Sequence, residues 1–212
     1  MAYKLLDARV LAAVYRRRAA ASNNGDLPHP REVAQWREDA RDVLFHTWEE
    51  ALESPNSSRE LVAAIRPVLR SWVECPGAPN YHLTQVLTGH GCFGEYLFGV
   101  VRREPTAECH HCAGGMVDTA RHTREECPAW AVPRAALSAV IGPDLSLPAM
   151  IVAMVGSEAA WRAVATFSDA VMSEKEAAER ERENSADSLP MRRRRPGRRR
   201  QAHLVNIDRA PP

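Results

Sequence analysis

The 212 residues predict a mainly α-helical fold built of short helices, interrupted by one small insert and closed by a basic tail. Three observations carry this reading. Apolar residues recur at three- and four-residue spacing in several stretches, and no stretch is dense in strand signals. The span 109–127 is rich in cysteine and histidine but has little core of its own. From about Asn184 the core-forming pattern disappears and arginine accumulates, which reads as a disordered Arg-rich tail over 184–212.

The elements follow in order. Tyr3 to Ala21 is rich in Ala, Leu and Arg without internal Gly or Pro, so it reads as a helix that Ser22-Asn23-Asn24-Gly25-Asp26 stops. Pro30 then stands where a first helical turn would begin. Val33, Trp36, Ala40, Val43, Leu44 and Trp48 form the clearest apolar stripe in the chain, opposite Arg37, Glu38, Arg41, Asp42, Glu49 and Glu50. Ser57 and Glu60 have capping-box spacing ahead of Leu61, Ile65, Val68, Leu69 and Trp72. Pro67 kinks or restarts that helix, because proline lacks the N–H and its ring clashes with the preceding turn. Cys75-Pro76-Gly77-Ala78-Pro79-Asn80 is a loop by composition, His82 to Thr88 a short helix, and Gly89-His90-Gly91 a break after which Phe93, Tyr96 and Leu97 resume helical spacing. Beyond the insert, Arg134 to Ile141 and Pro148 to Val155 read as helices separated by Gly142-Pro143. Ser157 or Glu158 opens a long one with Trp161, Val164, Phe167, Val171 and Met172 on its apolar face.

Bulk properties bound the function. A hydrophobic content of 45% suits a globular chain, and a net charge of +1 gives the whole molecule no bias toward polyanions. The charge is nevertheless polarised, with Arg192–Arg195 and Arg198–Arg200 following a stretch of mixed acids and bases. No run approaches the roughly 18 apolar residues needed to span a bilayer, and no secretory leader is visible, so a soluble protein without a membrane partner is expected. Five cysteines are an odd number and too few for a disulfide scaffold. Reduced thiols in the nucleus, with the cytoplasm as second choice, are the expectation.

The insert has the spacing Cys109-x2-Cys112-x9-His122-x4-Cys127. Two cysteines three apart can chelate from one tight turn, and a distant His and Cys can complete a tetrahedron. Gly114-Gly115 supplies backbone freedom where the chain folds back. His122 and Cys127 are five apart, close to one helical turn. Three thiolates and an imidazole make a closed site, which favours structural zinc over a catalytic ion. On the competing reading Cys109 and Cys112 are reduced core thiols and His122 is a surface histidine. His110 or His111 could also replace His122 as ligand. Cys75 and Cys92 read as small buried hydrophobes, His90 as part of a turn without a catalytic partner, and Trp36, Trp48, Trp72 and Trp161 as core.

Several of these residues also carry a family resemblance. The run Leu83-Thr84-Gln85-Val86-Leu87-Thr88-Gly89-His90-Gly91-Cys92-Phe93-Gly94-Glu95-Tyr96-Leu97 is one part of it. Cys109-His110-His111-Cys112, His122-Thr123, Cys127-Pro128-Ala129-Trp130 and the Arg-rich tail complete it. Together they resemble the C-terminal end of the reverse-transcriptase polyprotein of insect non-LTR retrotransposons, particularly the clade inserting into ribosomal RNA genes. The resemblance covers the chain from about residue 30 onward. It implies that 30–100 is a thumb-like helical segment and linker and 105–130 a CCHC zinc knuckle, with a parent RNA-directed DNA polymerase that carries an endonuclease. The expected domains are then a helical thumb- and linker-like region over 1–100, the knuckle over 101–133 and further helices over 134–183. The paired catalytic aspartates of such a polymerase, usually in Tyr-x-Asp-Asp, are absent here, as is a recognisable endonuclease. The chain is therefore expected to be no enzyme alone, but a terminal fragment or the product of a truncated element copy. The knuckle departs from the retroviral nucleocapsid pattern, which has four residues where this one has nine.

Phosphates are bound chiefly by Lys and Arg, and single-stranded bases stack on aromatic and Arg planes. Arg102, Arg103, Arg121, Arg124, Trp130 and Arg134 cluster near the insert and are the candidate RNA or DNA contacts, while Arg192 to Arg200 reads as a nuclear-import signal or a phosphate-binding arm. The preferred expectation is a zinc-dependent nucleic-acid-binding segment partnered by an upstream polymerase domain. The alternative is a zinc-stabilised protein-interaction module.

Overall fold

A computed structural model describes residues 2–53 and 59–192. It is mainly helical, as expected. Helix α1 is Ala2–Asn23, α2 Pro30–Leu52, α3 Arg59–Ile65, α4 Leu69–Glu74, α5 Tyr81–Thr88, α6 Gly94–Tyr96, α7 Ala131–Ile141, α8 Leu147–Gly156 and α9 Glu158–Asn184. Among the described residues the one β-type pairing is an isolated antiparallel bridge, Glu108 with Val117.

The chain divides into two compact units, each discontinuous in sequence. The first comprises Met1–Pro79 and Ser138–Val164, the second Asn80–Leu137 and Ala165–Pro212.

In the first unit α1 pairs with α2, and their facing sides bury Val10, Leu44 and Phe45 with Leu69 of α4. Ala40, Trp48, Leu52, Ile65 and Val73 pack around this centre, which is the α2 stripe at work. Val43, expected on that stripe, is instead 67% exposed, and Phe45 takes the inward place. The reason is helical phase, since at about 100° per residue Val43 falls about 60° to one side of Ala40 while Leu44, Trp48 and Phe45 all fall on the other. Pro30 does open α2, and His29 caps it. His29 Nδ1 accepts from Arg31 N at 3.2 Å while the Glu32 carboxylate accepts from His29 N at 2.7 Å, a reciprocal cap with histidine in the role usually filled by Ser or Thr. Pro67 restarts its helix through a 3₁₀ turn at Arg66–Val68. The expected cap at Ser57 lies outside the described residues. Trp72 stacks on Trp161 with ring centroids 5.4 Å apart.

In the second unit Asn80 caps α5 by accepting from Leu83 N at 2.8 Å, and Gly89 ends it in the left-handed conformation at φ 70°. Val86, Phe93, Ala120 and Met172 form the apolar centre, with Cys92 and Tyr96 packed against it. Helix α9 begins at Glu158, as its sequence suggests, and its inward stripe continues past Met172 through Lys175 and Glu179, both buried. The described chain also continues in order beyond Asn184, ending in a 3₁₀ turn at Pro190–Arg192. That part of the expected tail is held by Arg192, which donates to buried Glu104 and whose carbonyl accepts from Arg103 at 2.7 Å. Arg193–Arg200 lie outside the described residues.

Candidate metal centre

Residues 107–118 fold back on themselves as a narrow hairpin. Cys109 N donates to Met116 O and Asp118 N to Ala107 O, each at 2.8 Å. Gly115 makes the reversal with φ 61°, a conformation costly for any residue with a Cβ. The hairpin presents Cys109 and Cys112. Thr119 then caps the following turn, its Oγ1 accepting from His122 N at 2.8 Å. His122–Glu126 is a π-type turn closed by Cys127 N to His122 O at 2.7 Å. This is a finding beyond the expected helical turn. In an α-helix residues five apart diverge by about 140° around the axis, whereas an i to i+5 hydrogen bond brings them onto one side.

The resulting cluster is Cys109, Cys112, His122 and Cys127, whose donor atoms all lie within 4.8 Å of one another. Cys109 Sγ is 3.9 Å from Cys127 Sγ, and Cys112 Sγ is 3.4 Å from His122 Nε2. The other ring nitrogen, Nδ1, faces the Glu126 carboxylate at 3.4 Å, which turns Nε2 toward the thiols. His122, Cys109 and Cys127 are buried. Burial pushes the Cys109 thiol up to about 12, partly offset by the His111 backbone N–H, and raises Cys127 as well. Cys112 is lowered, first by the Gly114 backbone N–H. Two buried thiols that resist ionisation in apolar surroundings become thiolates when a cation lies beside them, so this donor set can hold a metal ion.

The histidine ambiguity resolves geometrically. His111 packs against Trp130 in a tilted ring contact at 4.9 Å, and burial drops it to about 4. His110 Nε2 lies 3.5 Å from Glu104. Cys75 and Cys92 are half-buried and are not among the clustered donors, and burial raises Cys92 to about 11. His90 is exposed and lies against Tyr96.

The six residues expected to touch nucleic acid do not share one surface. Arg102 is exposed, and the Arg121 side chain is 67% exposed although it faces Glu125 and Glu126. Arg103 is half-buried against Glu183 at 2.7 Å. Arg134 donates to the carbonyls of Cys127 and Thr123, bracing the ligand turn. Arg124 is 1% exposed and Trp130 3%. These two have no free face for a phosphate or a base, so their expected role is corrected to packing. The physical reason is that the insert is too small to build a core from apolar residues alone and draws its own cation and indole inward.

The sequence reading missed Asp118, Thr119, Glu126 and Lys175. Lys175 did leave a signal. Apart from Lys4 it is the only lysine in an arginine-rich chain, and it falls in the inward row of α9 where an apolar residue would continue the stripe.

No family model matches the chain, and no solved structure matches it. The retrovirus-related Pol polyprotein from type-1 retrotransposable element R1 4 of Nasonia vitripennis is 30% identical to it over 132 residues, or 60% of this chain. The similarity supports a retrotransposon-related origin. The chain spans 32% of that relative's length.

Proposed function

We propose that this chain is a zinc-dependent nucleic-acid-binding segment of a non-LTR retrotransposon reverse transcriptase, acting beside a polymerase domain that supplies the catalytic palm. The Cys3His geometry carries the reading. A tetrahedral zinc with Zn–S bonds of about 2.3 Å and Zn–N bonds of about 2.0 Å has S···S edges of about 3.8 Å and S···N edges of about 3.5 Å. The 3.9 Å and 3.4 Å separations fit that frame. A bound zinc would hold the 109–112 and 122–127 turns together as a structural ion, with no open position for catalysis. The similarity to a retrotransposon polyprotein supports an element RNA or its DNA target as partner. Arg121, next to His122 in the sequence, and Arg102 supply exposed cations, and the stretch Arg192 to Arg200 supplies a phosphate-binding arm or a nuclear-import signal.

Zinc stoichiometry of the full chain, measured together with RNA and DNA affinity at two salt concentrations, tests this. One bound zinc and salt-sensitive binding that weakens in chelator are expected, and a folded chain with no metal would refute it.

One observation favours the alternative of a protein-docking module. Acidic residues outnumber basic ones over the described part of the second unit, and Arg103, Arg124 and Arg134 there are engaged internally. Zinc-dependent binding to a polymerase domain without measurable RNA or DNA binding at moderate salt would select that reading.

A further inference from the structure

We propose that Lys175 is a positioning residue for the metal centre, holding its two ligand turns in place through Asp118 and Trp130. The inference rests on the zinc reading above. Lys175 lies in the C-terminal half of α9, 48 residues beyond Cys127 in the sequence, yet its side chain is fully buried in the same unit. Its Nζ is 2.6 and 2.8 Å from the two Asp118 oxygens. It also lies over the Phe93 ring at 5.1 Å and the Trp130 ring at 5.9 Å.

Both partners are tied to the ligand turns. Asp118 stands between the second and third ligands, at the base of the hairpin. Its N–H donates to Ala107 O and its carbonyl accepts from Glu95 N at 3.1 Å. Its carboxylate accepts from Gly94 N at 3.0 Å and from Thr123 Oγ1, on the His122 turn, at 3.5 Å. Gly94 must be glycine for this approach, because a Cβ there would meet Ala107 O at 2.7 Å. Trp130 N donates to Cys127 O at 3.2 Å, and its indole packs at a tilt against His111, between Cys109 and Cys112. One ammonium therefore reaches a carboxylate that fixes the hairpin to the His122 turn, and an indole that fixes the Cys109–Cys112 turn to Cys127.

The chemistry suits lysine. A compact ammonium presents three donors from one point and fits between two oxygens and two ring faces, whereas a planar guanidinium needs a wider fork. An apolar residue would leave Asp118 a buried carboxylate with no countercharge, which proteins avoid. Groups outside the first ring of ligands that orient them in this way change metal affinity by about 10- to 100-fold when removed.

The test compares three full-chain variants with the unaltered protein: Lys175→Met, the double variant Lys175→Met with Asp118→Asn, and Met172→Ala. The double variant removes both charges and so leaves neither unpaired. Met172→Ala removes apolar volume from the neighbouring cluster with Val86, Phe93 and Ala120 while leaving both charges in place. Zinc affinity is read by competition with a chromophoric chelator, and site geometry by the visible absorption of bound Co²⁺. The double variant is expected to bind zinc about tenfold or more weakly and to show an altered Co²⁺ spectrum, while Met172→Ala retains the unaltered chain's affinity and spectrum. Unchanged zinc affinity and an unchanged cobalt spectrum in a folded double variant would overturn the proposal. Where Lys175→Met and the double variant fold only with zinc, the proposal requires about tenfold more free zinc to restore their helix content than Met172→Ala needs. Recovery at equal zinc would overturn it. An unaltered chain that takes up neither metal would overturn the zinc reading and this one together.

Discussion

Around α1, α2 and α4 the chain closes over Val10, Leu44, Phe45 and Leu69, an interior made almost wholly of apolar side chains. The unit holding the Cys3His cluster also has an apolar centre, but it buries Glu104, Asp118, Arg124, Lys175 and Glu179 as well. The first arrangement is non-directional, and its strength follows the apolar area removed from water. The second depends on geometry, because each buried charge is tolerable only while its partner is in place. Loss of metal, of one buried ion or of apolar volume should therefore weaken the two units very unequally.

Replacing a ligand should separate them most sharply. Zinc binding contributes on the order of 10 kcal/mol or more to folding small sites of this kind. Cys127→Ser is expected to abolish stoichiometric metal binding and expose the amides of 107–127 to hydrogen exchange, while those of α2 stay protected. Equal loss of protection in both segments would break the contrast.

The converse experiment removes apolar volume from the first unit. Phe45 is buried, packs edge-on against Trp48 with centroids 6.3 Å apart, and has the Arg70 guanidinium 4.5 Å over its ring. Phe45→Ala should cost about 3–5 kcal/mol by denaturant unfolding, with zinc affinity unchanged. A parallel drop in zinc affinity would show that the two regions share one cooperative transition.

Proton linkage offers a sharper distinction. Burial raises the Cys109 thiol from 9.0 to about 12, so the folded metal-free chain holds this proton over a pH range where the unfolded chain releases it. The stability it contributes is fully present below about 9 and is lost as pH rises toward 12. With chelator and reductant present, the melting temperature should therefore fall as pH rises through that window. The zinc-loaded chain should instead lose stability toward acid, where protons compete for the thiolates. The same pH trend in both forms would argue that the thiols do not ligate.

The smallest expected effect belongs to the α2 cap. His29→Ala removes one side-chain acceptor and leaves the Glu32 half of the reciprocal cap, so about 1 kcal/mol or less should be lost without any change in metal binding. A loss of several kcal/mol would mean that α2 depends on its entrance far more than on its buried face.

Much of this organisation was legible in the residues themselves. The α2 stripe, the restart at Pro67, the Gly89 stop and the start of α9 are local, and spacing, capping and proline chemistry report them directly. The four clustered donors were legible too, because a chelating turn demands Cys and His at short fixed intervals. Arg124 and Trp130 were misread because a cation or an indole looks the same in sequence whether it faces water or packs inward. Val43 was misplaced by one step of helical phase, which only the neighbouring helix resolves.

Residues a few positions apart are enough to specify a helical chain, its breaks and a Cys3His donor set. It took the folded chain to show that His122 and Cys127 meet on a π-type turn, and that Lys175 and Asp118, 57 residues apart, form a buried ion pair behind the ligand turns. The reason is that burial and charge pairing depend on which distant segments share a region of space, and periodicity along one segment carries no information about its partner.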